Sequence, residues 1–264
     1  MKVAFLGFSE AGPAFAEVLI AHGATVSAYD PRLGEDGALR AKAEATGATI
    51  HGTPGDAVTK AELVISTVTA ASACAAARGA APALRQGQIY LDLNSCAPDT
   101  KRAVADIVTP TGASFVEGAA MGLIRGRGGD VPLLLCGADA EALAARLREA
   151  GLNTRAVGAY LGRASAIKLM RSVYVKSIEA LFVEAHVAAA RLGVEDEVLA
   201  SLSETFPGPD WPALSAYHIG RVRAHGARRA EELDEAAEMI EALDLPCRMV
   251  RSAAEVQRAG AAQE

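Results

Sequence analysis

The opening segment constrains the fold more than any other stretch. Lys2 to Gly7 (KVAFLG) is a short apolar run ending in glycine, Glu10 to His22 follows with apolar positions at helical spacing, and Thr25 to Tyr29 (TVSAY) is a second strand pattern closed by Asp30-Pro31. Strand, glycine turn, helix and strand within about 30 residues make a βαβ unit, which sets the two strands parallel and the helix on one face of their sheet. The turn, Gly7-Phe8-Ser9-Glu10-Ala11-Gly12, is a G-x-G-x-x-G loop with Ser9 in the middle position. In such a loop Gly7 makes the tight turn, position 9 leaves backbone room for a pyrophosphate, and Gly12 lets helix and strand approach. The phosphate then rests on the helix N-terminus.

Asp30 ends the second strand roughly 20 residues past the glycines, where a carboxylate binds the ribose hydroxyls of a dinucleotide. Its alternative is a turn residue before Pro31. The ribose reading favours NAD, because a carboxylate repels a 2′-phosphate; Arg32, two residues on, leaves NADP open.

Strand and helix patterns keep alternating. Helices are predicted at 37–46, 54–60, 72–84 and 98–108, and strands at 49–50, 63–68, 89–93, 114–117 and 131–136. The alternation predicts an α/β fold with a Rossmann-type, doubly wound, mostly parallel sheet. Ligands gather at the carboxyl ends of such strands. Besides Gly7 and Asp30, the residues there are Val68, Thr69, Asn94, Ser95, Met121 and Gly122.

Past residue 195 strand patterns cease. Helices are predicted at 195–206, 213–225, 227–243 and 248–258, giving an all-α carboxyl-terminal domain. The expected division is 1–160 for the dinucleotide domain and 161–264 for the helical one, entered through a long helix at 164–193.

That helix is apolar nearly all round, with Ile167, Leu169, Met170, Val173, Tyr174, Ile178, Leu181 and Phe182, which predicts burial on most sides. Ser165, Lys168, Ser172, Lys176 and Glu179 fall at offsets 0, 3, 7, 11 and 14, on one narrow face. A lysine facing an apolar interior is costly unless paired or employed, so Lys168 is the candidate chemical centre. Its alternative is a lysine whose stem lies along the domain edge with the ammonium in water.

A net charge of −6 gives no footprint for nucleic acid or an anionic membrane surface. Cys74, Cys96, Cys136 and Cys247 show neither a C-x-x-C pair nor a metal-ligand rhythm, and the five histidines are dispersed. Reduced thiols, no metal and a cytoplasmic location are expected. The most apolar window, Leu63 to Ala77, is too short to span a bilayer. A small-molecule substrate is the expectation.

The chain resembles the β-hydroxyacid dehydrogenase family, which includes 3-hydroxyisobutyrate dehydrogenase and tartronate semialdehyde reductase, with 6-phosphogluconate dehydrogenase as a larger relative. Four segments carry the resemblance, in order. Gly7 to Gly12 is the dinucleotide loop, and Asp92-Leu93-Asn94-Ser95 with Pro98 looks like D-x-S-T-x-x-P beside the nicotinamide. Glu117-Gly118-Ala119-Ala120-Met121-Gly122-Leu123 stands where the family has D-A-P-V-S-G-G, and Gly162 to Ser172 stands where it has G-x-G-x-x-x-K-x-x-x-N.

The resemblance implies that Lys168 is the catalytic lysine, with Met121, Gly122, Leu123 and Ser172 at the substrate and a homodimer joined through the helical domain. Ser172 replaces the family asparagine, Met121 the carboxylate-binding serine and Leu123 the second glycine. The pocket is thereby more apolar, which points to a bulkier or less charged substrate. The segment around Lys168 is also similar to a branch whose carboxyl-terminal domain is of unknown function.

Two arginine groups stay open. Arg125 and Arg127, among Gly126, Gly128 and Gly129, form either a flap that brings a guanidinium to substrate or a solvated hairpin. Arg221, Arg223, His225, Arg228 and Arg229 either line the substrate cleft, where the family has a second lysine, or make ordinary helix pairs such as Arg228 with Glu231 and Glu232. An NAD(P)-dependent oxidoreductase acting on C–OH or C=O is the leading expectation. An imine reductase, which shares the architecture but usually replaces the lysine, and a non-catalytic nucleotide sensor or scaffold are the rivals.

Overall fold

The structure is a computed structural model and describes residues 1–124 and 126–261. Arg125 of the arginine-glycine loop lies outside them. The chain forms two compact units, Met1–Lys168 and Leu169–Glu264.

In the first unit the strands are β1 (Lys2–Leu6), β2 (Thr25–Tyr29), β3 (Thr49–Ile50), β4 (Leu63–Ser66), β5 (Ile89–Asp92), β6 (Ser114–Ala120), β7 (Leu133–Cys136) and β8 (Thr154–Ala156). Between them run α1 (Ala11–Ala21), α2 (Gly37–Ala45), α3 (Pro54–Val58), α4 (Ala73–Ala80), α5 (Pro98–Val108) and α6 (Ala140–Glu149). The eight strands form one sheet in the order β3-β2-β1-β4-β5-β6-β7-β8. Every pairing is parallel except β6 with β7.

Alternation along each strand divides the core between the two faces. Val3, Phe5, Leu63, Ile65 and Leu91 pack with Phe15 and Leu19 of α1 and Leu143 and Leu147 of α6. On the other face Ala4, Leu6, Val64, Tyr90 and Phe115 pack with Ala73 and Ala77 of α4 and Val104 and Val108 of α5. The chain order turns back between β1 and β4, so their carboxyl ends bound the crevice where doubly wound sheets bind ligands.

The doubly wound sheet is as expected, with α6 and β8 added. Periodicity misses these because β8 is only three residues long and buries little alternating side chain. β6 also runs on to Ala120, through Gly118, where a Cβ would collide with Leu93; glycine there permits close packing rather than ending the strand.

A long helix α7 (Arg163–Leu192) begins in the first unit and continues into the second, which adds α8 (Glu195–Thr205), α9 (Trp211–Glu241) and α10 (Arg248–Gly260). The expected break near residue 226 is absent. Gly226 sits in mid-helix because α10 crosses α9 there, and a Cβ would run into the carbonyl of Gln257. Ala230, Leu233 and Ala237 of α9 pack with Val250, Ala253 and Ala254 of α10. Among the described residues no helix is long and apolar enough to cross a membrane.

Burial of α7 on most sides is the expectation that fails. Tyr174, Ile178, Leu181 and Leu192 are exposed, and Ala185 and Ala188 with them. Their spacing of 4, 3, 4, 3 and 4 residues is a heptad-like seam that this chain leaves uncovered. The opposite side is polar and buried: Glu179 is 1% exposed and pairs with Arg229, while Lys176 pairs with Glu232 and Ser172.

His218 belongs to the same interior, its ring 4.9 Å from Phe182 and 5.3 Å from Tyr217 and its Nδ1 3.9 Å from the Glu179 carboxylate. Burial holds its pKa below the ordinary histidine value, with Arg229 and Arg221 acting the same way and Glu179 opposing. The unfolded chain therefore takes up this proton first, so stability is lost as pH falls through the unfolded value of about 6.5. Thermal unfolding followed by Trp211, the single tryptophan, should show a midpoint that drops between pH 7 and 5.5. His218→Phe should flatten that slope, and equal slopes in the two proteins would rule this out.

Candidate active site

The glycine loop has the shape a dinucleotide requires. Gly7 adopts φ +87°, and a Cβ on it would lie 2.7 Å from the Thr67 carbonyl oxygen. A Cβ on Gly12 would lie 2.7 Å from the Gly7 oxygen and 2.8 Å from the Phe8 ring. Phe8 is fully buried with its ring on Phe5, so the loop is pinned from beneath. Ser9 and Ala11 are half-buried and Glu10 is exposed. No side chain caps α1, so its first N–H groups remain for an anion. These residues fit the diphosphate of a dinucleotide.

Asp30 is 7% exposed, and each of its oxygens already accepts a backbone N–H, from Phe8 at 2.9 Å and from Arg32 at 3.0 Å. It therefore ties the glycine loop to the end of β2. A carboxylate has about four acceptor positions, so capacity for ribose hydroxyls remains. The Arg32 guanidinium is 60% exposed and 3.6 Å from Asp30.

The ends of β1, β4 and β5 are braced together by residues that carry no apolar signal. Thr67 Oγ1 donates to the Gly7 carbonyl at 2.7 Å. Asn94 is 2% exposed; its Oδ1 accepts the Val68 N–H at 2.7 Å and its Nδ2 donates to Ser66 Oγ at 3.0 Å. Asn94, expected beside the cofactor, thus acts as a clamp between strand ends. Thr69 is exposed and bonded to Ser72.

Beneath them, Lys101 of α5 is 1% exposed and donates to Asp92 Oδ1 at 2.8 Å, to the Asp92 carbonyl at 2.8 Å and to the Gly118 carbonyl at 3.1 Å. Asp92 Oδ1 also accepts the Asn94 N–H at 2.8 Å. No motif in the sequence marks this anchor, though Lys101 precedes Val104, Ala105 and Val108 by 3, 4 and 7 residues and so shares their buried face.

The candidate lysine comes next. Lys168 Nζ donates to Ser95 Oγ at 2.9 Å; Lys168 is half-buried and Ser95 is exposed. At the start of the same helix, Glu117 of β6 accepts the N–H groups of Gly162 and Ser165. The Cys136 thiol lies beside Glu117, its pKa pushed up to about 11 by burial first and by the carboxylate second.

Past β6, Met121 is half-buried, Gly122 is exposed and Leu123 is 57% exposed. The Arg127 guanidinium lies 3.4 Å from where a Cβ on Gly122 would stand. Ser172, Arg228 and Arg229 lie in the second unit. Ser172 accepts from Lys176, Arg228 pairs with Glu232 at 3.1 Å, and His225 is exposed. Arg229 is 5% exposed and spends its guanidinium on Glu179.

Comparison with known proteins identifies the family and the fold. Residues 2–149 match the NAD-binding domain of 6-phosphogluconate dehydrogenase, and residues 189–260 match a domain of unknown function. A conserved hypothetical protein from Sinorhizobium meliloti 1021 is 40% identical, covering 99% of this chain and 89% of its own, with a TM-score of 0.87. The conserved protein MTH1747, described as of unknown function and structurally similar to 3-hydroxyacid dehydrogenases, is 32% identical over 98% of this chain and 96% of its own, with a TM-score of 0.85. Mycobacterium tuberculosis 3-hydroxyisobutyrate dehydrogenase with L-serine shares the fold at 19% identity, 99% and 94% coverage and a TM-score of 0.84. With the matching model spanning more than half of its residues, the chain belongs to the family defined by the NAD-binding domain of 6-phosphogluconate dehydrogenase.

Proposed function

We propose that the protein is an NAD(P)-dependent oxidoreductase that moves hydride between a nicotinamide cofactor and the C–OH or C=O of a small organic molecule, with Lys168 as the proton donor and acceptor. The observation that carries this reading is the Lys168 ammonium held 2.9 Å from Ser95 Oγ, on a loop whose neighbours grip the ends of β4 and β5.

Residues 7–12 would hold the diphosphate, Asp30 the adenosine ribose, and Val68, Thr69 and Ser95 the nicotinamide end. The bound cofactor supplies or accepts the hydride. In carbonyl reduction the Lys168 ammonium hydrogen-bonds the oxygen that gains charge and then protonates it; in alcohol oxidation the neutral amine takes that proton. Ser95, accepting from Lys168, keeps its own O–H to donate to the same substrate oxygen.

Met121 and Leu123 present apolar surface where the resembled family has serine and glycine, which supports a bulkier or less charged substrate than a small 3-hydroxy acid. Arg229, buried against Glu179, fits a structural role better than direct contact with substrate. Asp30 supports NAD over NADP, with Arg32 exposed beside it. The four free cysteines suit a cytoplasmic protein.

Titration with NADH and NADPH, followed by a turnover screen over hydroxy acids, aldehydes and imines, tests the reading. Cofactor binding without lysine-dependent turnover of any of these would favour a sensor, and activity confined to imines would favour an imine reductase.

We propose that the heptad-like seam of α7 is a homodimer contact, since Tyr174, Ile178, Leu181 and Leu192 present large apolar side chains to water at coiled-coil spacing. Sedimentation should give a dimer for the wild type and a monomer for Ile178→Glu/Leu181→Glu. A dimer that survives the double substitution would place the interface elsewhere.

A further inference from the structure

Glu117 lies in an otherwise apolar strand, Ser-Phe-Val-Glu-Gly-Ala-Ala, and is fully buried. A carboxylate removed from water must be compensated by hydrogen bonds or opposite charge. Its register neighbour on β5, Asp92, has Lys101. Glu117 meets the N-terminus of α7 instead: Oε1 accepts the Ser165 N–H at 2.7 Å and Oε2 accepts the Gly162 N–H. The Cys136 thiol, its partner across β7, is held protonated beside it. The first N–H groups of a helix have no partner within it and carry about half a positive charge, so a buried carboxylate and a buried helix end satisfy one another.

The consequence concerns Lys168, three residues beyond Ser165 and so within one turn of that anchored group. Bonds to two N–H groups fix the rotation of that turn as well as its depth. Ser95, the partner of the Lys168 ammonium, is placed separately through Asp92 and Asn94. Adjacent strands thus set the two halves of one hydrogen bond. We propose that Glu117 is a positioning residue: it docks the first turn of α7 on β6 and so sets the Lys168 ammonium against Ser95. This rests on the proposed role of Lys168.

The test uses the full chain with Glu117→Gln and Glu117→Asp. Glutamine offers one acceptor oxygen and turns its amide donors towards a backbone N–H; aspartate keeps the charge on a shorter arm. Hydrogen exchange of residues 162–168, NADH affinity, and kcat and KM on a carbonyl that the wild type reduces are measured together. In Glu117→Gln, exchange of 162–168 should be about tenfold faster and kcat about 10- to 100-fold lower, with KM and NADH affinity within about twofold. Glu117→Asp should recover part of the lost kcat.

Unchanged exchange and kcat in a folded Glu117→Gln protein would overturn the proposal. So would kcat and NADH affinity falling in parallel in both variants, which marks a merely structural residue. If Glu117→Gln does not fold, Glu117→Asp decides alone: slower turnover at constant NADH affinity supports the proposal, and unchanged turnover with faster exchange overturns it. If the wild type reduces nothing, the role of Lys168 falls, while exchange in the 162–168 segment still reports whether Glu117 anchors the helix.

Discussion

Lys168→Ala should lower kcat by about 10²- to 10⁴-fold, the span that a positioned proton donor contributes, while NADH affinity stays at the wild-type value. The separation is expected because Lys168 touches Ser95 on the β5–α5 loop, whereas the diphosphate cradle is built from Gly7, Gly12 and the open end of α1. Lys168→Arg sharpens the test. A guanidinium keeps the charge that steadies a developing alkoxide but does not give up its proton at working pH. Arginine should therefore retain only the part of the activity that the fixed charge supplies, with the proton left to water or Ser95, and by microscopic reversibility the loss should appear in both directions, compared as kcat/KM for carbonyl reduction and for alcohol oxidation. Wild-type turnover by Lys168→Ala would remove the lysine from the chemistry altogether.

What can be read in the sequence follows the strength of the local signal. The βαβ unit, the glycine loop and the alternation that follows are short-range patterns of apolar period and turn residue, and the sheet order agrees with them. The helix carrying Lys168 is legible for the same reason, and its pairing with Ser95 joins two segments named from sequence. Glu117, Lys101 and Thr67 do not stand out as site residues in the sequence, because each acts through partners 9 to 60 residues away on a different element, and such pairing leaves no periodic trace.

The arginines show the converse. Arg228 and Arg229 are adjacent in sequence, yet one is exposed on the helix surface beside Glu232 and the other is buried on Glu179. Which arginine is buried depends on how α9 meets its neighbours. The exposed face of α7 departs from expectation because an all-round apolar helix needs cover, and periodicity does not say which chain supplies it. A second chain would meet the same physical requirement, which is why the 4-3-4 spacing of the exposed residues is the ground for the proposed dimer.

Lys101→Met should destabilise the first unit far more than the loss of an exposed ion pair such as Arg40 with Glu44. The ammonium is 1% exposed and serves three acceptors, Asp92 Oδ1 and the carbonyls of Asp92 and Gly118. Methionine fills a similar volume but leaves a fully buried carboxylate without its cation, a loss worth about 3–5 kcal/mol. For a unit of 168 residues that corresponds to a fall of about 6–20 °C in its unfolding midpoint. Calorimetry is the appropriate measurement, because Trp211 lies in the other unit and does not report this one. Lys101→Met/Asp92→Leu removes both charges and should recover a large part of the loss, since two apolar residues in place of a buried pair leave neither charge stranded. The double variant should still turn over more slowly than the wild type. Asp92 Oδ1 also holds the Asn94 N–H, and without it the loop that presents Ser95 to Lys168 loses its inner support. A single variant within about 1 kcal/mol of the wild type would show that water or a shifted backbone takes over the three bonds, and that the ends of β5 and β6 beneath the site do not depend on this lysine.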